Sequence, residues 1–251
     1  MKFFDCAGFV KPEFVQEPLP SNKSIIKRTV DIALPSTIEA VLISLIGAID
    51  MMMVGTIGAN AIASVGICNQ PKFIILATIL SLNVGVTVVV SHRKGEGNRE
   101  SANRTLAQAW MISAMIAAVL STLGFIFAKP VVEFAGATSE YSDMAALYLR
   151  SIMIGNFFNS MSLTINAAQK GSGNTKIAMR TNVTANLVNV VFNFLLINGI
   201  GFFPKMGVLG AGIATSLGNF VAFVMSVISI SHPGEFLHLK LKEHFKFDKK
   251  T

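Results

Sequence analysis

Glu39 and Asp50 are the residues of this sequence best placed to do chemistry. Both lie in the apolar stretch 29–54, TVDIALPSTIEAVLISLIGAIDMMMV. They are eleven residues apart, so on a helix of 3.6 residues per turn both project from nearly one face, about 16 Å apart along the axis. About 20 apolar residues cross a bilayer, so this stretch is long enough to span one. An acid at membrane depth is costly and faces a bundle interior or a wet cavity. The pair therefore reads as a proton or cation site. The plainer reading is a structural pairing of each acid with a lysine or a backbone group. Pro35, one turn before Glu39, is a candidate hinge, because proline removes an i→i−4 bond and frees backbone carbonyls.

The elements that position these acids follow from composition. The chain is 52% hydrophobic and 14% charged over 251 residues, with a mean hydropathy of +0.58. A soluble domain carries about 25% charged residues, so this is an all-α, polytopic membrane helix bundle. Residues 1–28 read as a cytoplasmic leader, broken by Pro12, Pro18 and Pro20. Six spans follow near 29–54, 60–91, 104–128, 142–167, 176–198 and 207–231, and 232–251 form a basic tail. All but four of the 21 lysines and arginines fall in the leader, the tail and the connections after the second and fourth spans. The four exceptions are Lys72, Lys129, Arg150 and Lys205. This asymmetry places both termini in the cytoplasm, at the cell membrane. It also makes the net charge of +7 a topology signal rather than a nucleic-acid surface. Cys6 in the leader and Cys68 in a span are not expected to pair. The sequons at Asn22, Asn103 and Asn182 read as chance matches.

The first span, with its two acids, and the second, fifth and sixth each carry a polar line, and the fourth carries a polar face. The second holds Asn69, Gln70, Pro71 and Lys72, with Lys72 read first as a structural partner for a carboxylate. The fourth holds Asn156, Asn159, Ser160 and Asn166. In the fifth, Asn182, Asn186, Asn189 and Asn193 recur at intervals of 4, 3 and 4, a single stripe on a helix. The sixth opens GVLGAGIATSLGN, where Gly207, Gly210 and Gly212 permit close approach, and continues through Thr215, Asn219 and Ser226. Single amides serve as interhelical glue, each contributing about 0.6 kcal/mol. Aligned stripes on several spans exceed that need and predict a central hydrophilic cavity. Its expected lining includes Glu39, Asn69, Gln70, Lys72, Asn156, Asn159, Asn186 and Asn219; Met51–Met53, Phe157 and Phe158 offer adaptable apolar walls, although such residues in a membrane helix are more often lipid-facing or packed.

Four segments resemble the multidrug and toxic compound extrusion (MATE) transporters. They are ALP followed by AIDMMMVGTIGANAIASVG, then VGVTVVVSHRKGEGN, QKGSGNTKIAM and GVLGAGIATSLGN. The resemblance covers about residues 29–231, and the bacterial DinF-like branch is the branch it suggests. It implies secondary antiport: export of cationic or amphipathic organic compounds in exchange for protons or sodium, with no further cofactor. It implies one six-helix lobe of a twelve-helix protein, so a second lobe is an expected partner, beside the lipid bilayer and a small organic substrate. Carried over by motif position, the coupling site is Asp50, Asn189, Asn193 and Thr215, with the Asn193 position an aspartate in some relatives. These oxygens suit sodium. They suit a proton more easily, because removing a carboxylate from water favours its neutral form. Alternatives are a lipid-linked oligosaccharide flippase of the same superfamily, whose cavities carry more cations, and an inactive lobe.

An enzyme is not expected. The sequence has no His-Glu-x-x-His, Walker A or nucleophile-elbow motif. GSGNTK at 171–176 lacks the third glycine of a dinucleotide loop. His92, His232, His238 and His244 read as solvated groups rather than metal ligands.

Overall fold

The computed structural model describes residues 22–231 and 236–238. The leader up to residue 21 and most of the tail, with His232 and His244, lie outside the described residues. The elements are α1 (Asn22–Gly55), α2 (Ala59–Gly95), α3 (Arg99–Ile126), α4 (Ala128–Phe134), α5 (Ser142–Gly171), α6 (Thr175–Asn198) and α7 (Val208–Ser231). Six are long helices, one over each expected span. The short α4 lies in the connection between the third and fourth expected spans. It is closed by Lys129, whose Nζ donates to Asp143 Oδ1 at 2.7 Å.

α1, α2, α3 and α7 are each apolar and long enough to cross a membrane. α5 and α6 are less apolar because they carry the polar side chains of the interior. α5 is the central element, buried along its length and packed against α7, α2 and α3. α6 packs on α7 and carries α1, which makes only slight contact with α2 and α7. α1 accordingly exposes Leu34, Val41, Leu45 and Met52. Lipid solvates such side chains, so their exposure costs nothing there.

Close approach of α7 rests on glycines. A Cβ on Gly210 would lie 2.9 Å from the Leu196 backbone of α6, and one on Gly218 would lie 2.7 Å from the Ala185 carbonyl oxygen. Gly155 of α5 meets Ser216 in the same way, at 2.5 Å. Gly207 does not serve close packing. It precedes α7 with a φ of 56°, a turn conformation that glycine adopts without strain.

One motif is used twice at the same end of the bundle. Lys-Gly-x-Gly-Asn ends α2 at 94–98 and α5 at 170–174. In each, the second glycine is left-handed, with φ of 71° at Gly97 and 78° at Gly173. The asparagine N–H then returns to a helix carbonyl, Asn98 to Arg93 and Asn174 to Gln169, both at 2.9 Å. The two turns meet where the Lys94 ammonium donates to the Ser172 carbonyl oxygen.

Candidate functional site

α1, α2, α5, α6 and α7 enclose a cavity of about 400 Å³. It exists because α1 stands on α6 while barely touching α2 and α7. Asp50 enters it from α1, Asn189 and Asn193 from α6, and Thr215 from α7. Asn193 Nδ2 donates to Asp50 Oδ1 at 2.8 Å. The Asn189 amide lies between the carboxylate and Thr215. Satisfying both neighbours turns its nitrogen to Asp50, 2.7 Å from Oδ2 and 3.0 Å from Oδ1. Its oxygen then faces the Thr215 hydroxyl at 3.2 Å. The Thr215 hydroxyl also lies 3.0 Å from the Ala211 carbonyl oxygen. Two amides of one helix therefore hold the carboxylate of another. Asn193 is buried, and its own Oδ1 has no partner among the described residues.

Asn69, Lys72, Asn159, Asn186 and Asn219 line the same cavity. Three residues expected there do not. Glu39 is buried lower on α1, where the Lys170 ammonium of α5 stands 3.1 Å from both of its oxygens. Asn182 Nδ2 donates to Glu39 Oε1 at 2.5 Å. Paired in this way, the carboxylate ties three helices and is drawn away from the cavity. Gln70 is exposed, because the 100° step from Asn69 turns it outward. Asn156 faces α3 instead, donating to Ser121 Oγ at 3.2 Å. Among the described residues Lys72 has no carboxylate within ion-pairing distance, so it is a cavity charge rather than a structural partner.

Of the expected apolar walls, only Met51 contributes; Met52 is 72% exposed. Phe158 packs edge-on to Phe220 at 5.1 Å, outside this cavity. Two residues escaped the sequence reading. Tyr148 lines the cavity from α5, and its eleven-residue spacing to Asn159, the spacing of Glu39 to Asp50, was the available signal. Asp31, also on α1, is exposed beside the second Lys-Gly-x-Gly-Asn turn.

The MatE family model matches residues 35–195, more than half of the chain. The chain belongs to the MatE family. Its members are membrane transporters, not enzymes. The chain is 28% identical over 204 residues to a probable multidrug resistance protein NorM of Thermotoga maritima, covering 81% of this chain and 44% of that protein. It is 25% identical to the uncharacterized transporter YisQ of Bacillus subtilis, over 76% of this chain and 42% of YisQ. It is 27% identical to an FAD transporter of Shewanella oneidensis, over 66% of this chain and 37% of that protein. The chain thus spans about half the length of the curated relatives it matches. A crystal structure of MATE in the bent conformation superposes with a TM-score of 0.80 over 89% of this MatE chain and 49% of its own, at 22% identity. That likeness shows the fold: an all-helical lobe of the MATE type.

Proposed function

We propose that this chain forms the six-helix lobe of a two-lobe secondary antiporter that exports amphipathic organic compounds, with Asp50 as the coupling carboxylate. The observation that carries this reading is the grip of Asn189 and Asn193 on Asp50 inside a cavity bounded by five helices. While ionised, Asp50 accepts from both amides and ties α1 to α6. A proton removes the charge that orders those amides and frees α1 to move. Pro35, inside α1, then supplies a point of bending. Sodium is the alternative coupling ion. The carboxylate, the partnerless Asn193 Oδ1 and the Thr215 hydroxyl are hard oxygen donors of the type that bind such ions. The lysine and arginine distribution supports cytoplasmic termini at the cell membrane. The length of the relatives supports a second lobe as partner, and alternating access requires two halves that rock against each other.

The test is gradient-driven dye efflux from vesicles holding the protein as it occurs in its membrane, with its second lobe. Asp50→Asn is expected to reduce efflux to the level of empty vesicles. Efflux equal to the unmodified protein would remove Asp50 from the mechanism.

A further inference from the structure

Among the described residues Asp50 is one of two charged residues that line the cavity; Lys72 of α2 is the other. Lys72 makes no ion pair among the described residues. The titratable groups nearest it electrostatically are the Asp50 carboxylate and the Cys68 thiol. Neither satisfies it by contact. The oxygens of Asp50 are held by Asn189 and Asn193, and the Cys68 thiol donates to the Ala145 carbonyl oxygen at 3.3 Å. An ammonium carries three donors and no acceptor. Left without partners between apolar walls it is costly, and the walls here include Ile43, Ile46 and Val65. Asn69, one turn before Lys72 on α2, lines the cavity beside it and offers a further donor.

We propose that Lys72 is a specificity-determining residue that receives the carboxylate or phosphate of a dipolar amphipathic substrate. A carboxylate or phosphate oxygen supplies the acceptor that the ammonium lacks, through short charge-assisted hydrogen bonds. The inference rests on the antiport reading, which also fixes the other end of the molecule. If substrate and coupling ion exclude one another, the substrate binds best while Asp50 is ionised. A purely anionic substrate would do the reverse, because neutralising Asp50 leaves Lys72 unopposed. The substrate therefore carries a positive group for the Asp50 side as well as the anionic group for Lys72.

Two dyes with one skeleton test this. Rhodamine 110 has a cationic xanthene and a free carboxylate, and rhodamine 123 is its methyl ester, a cation. Binding to the membrane-reconstituted protein is read by fluorescence anisotropy. The unmodified protein should prefer the acid. Lys72→Met should weaken acid binding about tenfold, the loss of one hydrogen bond to a charged group, and strengthen ester binding. Lys72→Arg should keep the preference for the acid. Equal affinity for acid and ester in the unmodified protein overturns the inference without any variant. So does a Lys72→Met variant that weakens both dyes alike. In either of those cases, ester binding that is lost in Asp50→Asn leaves the antiport reading standing. No binding of either dye to the unmodified protein sinks both.

Discussion

Glu39 and Asp50 are bonded to α6 at one constant offset. Asn182 donates to Glu39 and Asn193 to Asp50, and each pair is separated by 143 positions. Equal offsets in the same sense mean that α1 and α6 run parallel and stay in register over three turns. The two contacts differ in what surrounds them. Glu39 has a cation at hand in Lys170, whereas Asp50 has amides and a cavity. One acid of the pair thus holds the helices together, and the other faces the cavity, where the exchange proposed above would take place.

That division predicts a double-mutant cycle. Lys170→Met leaves the Glu39 charge buried with Asn182 as its one neutral donor, and should lower stability by about 1–2 kcal/mol. The figure is small for a buried pair because the Lys170 side chain is 36% exposed and partly screened. Glu39→Gln should cost less, since an amide still pairs with Asn182. The double variant should recover part of the Lys170→Met loss. Thermal melts in detergent measure all three. Strictly additive effects would show that Glu39 and Lys170 are not coupled.

The glycines predict a graded series. A Cβ at Gly218 meets the Ala185 carbonyl oxygen at 2.7 Å and Asn189 Cβ at 3.1 Å. Gly218→Ala should therefore push α7 from α6, displace one of the amides that grip Asp50, and cost about 1–3 kcal/mol. It should also lower transport. Gly66, on α2, has nothing within 4 Å of an added Cβ. Gly66→Ala should be neutral or stabilising by up to about 1 kcal/mol, the helix-propensity gain of alanine over glycine. Melting and efflux on both variants check the contrast.

Helical period made the stripes readable, but not which neighbour each stripe meets. Asn182, Asn186, Asn189 and Asn193 recur on one side of α6, as their spacing suggested, and two of them reach Asp50, a meeting that only the family resemblance implied. Asn156 and Asn159 are three residues apart on α5, yet one bonds Ser121 of α3 and the other lines the cavity. Both lie within one arc of a single helix, and only the placement of α3 divides that arc. The lysine that pairs with Glu39 could not be named for the same reason, since it lies 131 positions away on another helix. Lys72 reversed its expected role because the approach of α2 to α1 is slight. That looseness is what leaves room for a cavity, and no local pattern encodes it.

The exposed pair at the far end of the bundle supplies a pH prediction. Asp143, by hydrogen bond and charge, holds the Lys129 ammonium above the ordinary lysine value of 10.5. A lysine raised in the folded state adds its stability fully below the unfolded value and loses it as pH climbs through the folded one. Lys129→Ala should thus differ from the unmodified protein by the same small melting shift from about pH 6 to about pH 9, and the shift should fade only above about pH 10.5. Dye efflux should be unaffected. A shift that changes near neutral pH would show that another group carries it.

The strongest prediction concerns Asn193. Its Nδ2 lies 2.8 Å from Asp50, and its Oδ1 is buried without a partner among the described residues. Asn193→Asp would set a second carboxylate beside the first. Two carboxylates that close cannot both stay charged unless a proton or a cation sits between them. The variant should therefore gain sodium dependence. Efflux by Asn193→Asp should rise with sodium at fixed proton gradient, while efflux by the unmodified protein should not. Asn193→Leu removes the donor altogether, leaves Asn189 as the sole amide on Asp50, and should lower coupled efflux about tenfold, the loss of one charge-assisted hydrogen bond. Flux measured in sodium-free and sodium-loaded vesicles separates the two effects. A sodium response already present in the unmodified protein would instead assign the partnerless Asn193 oxygen to the cation.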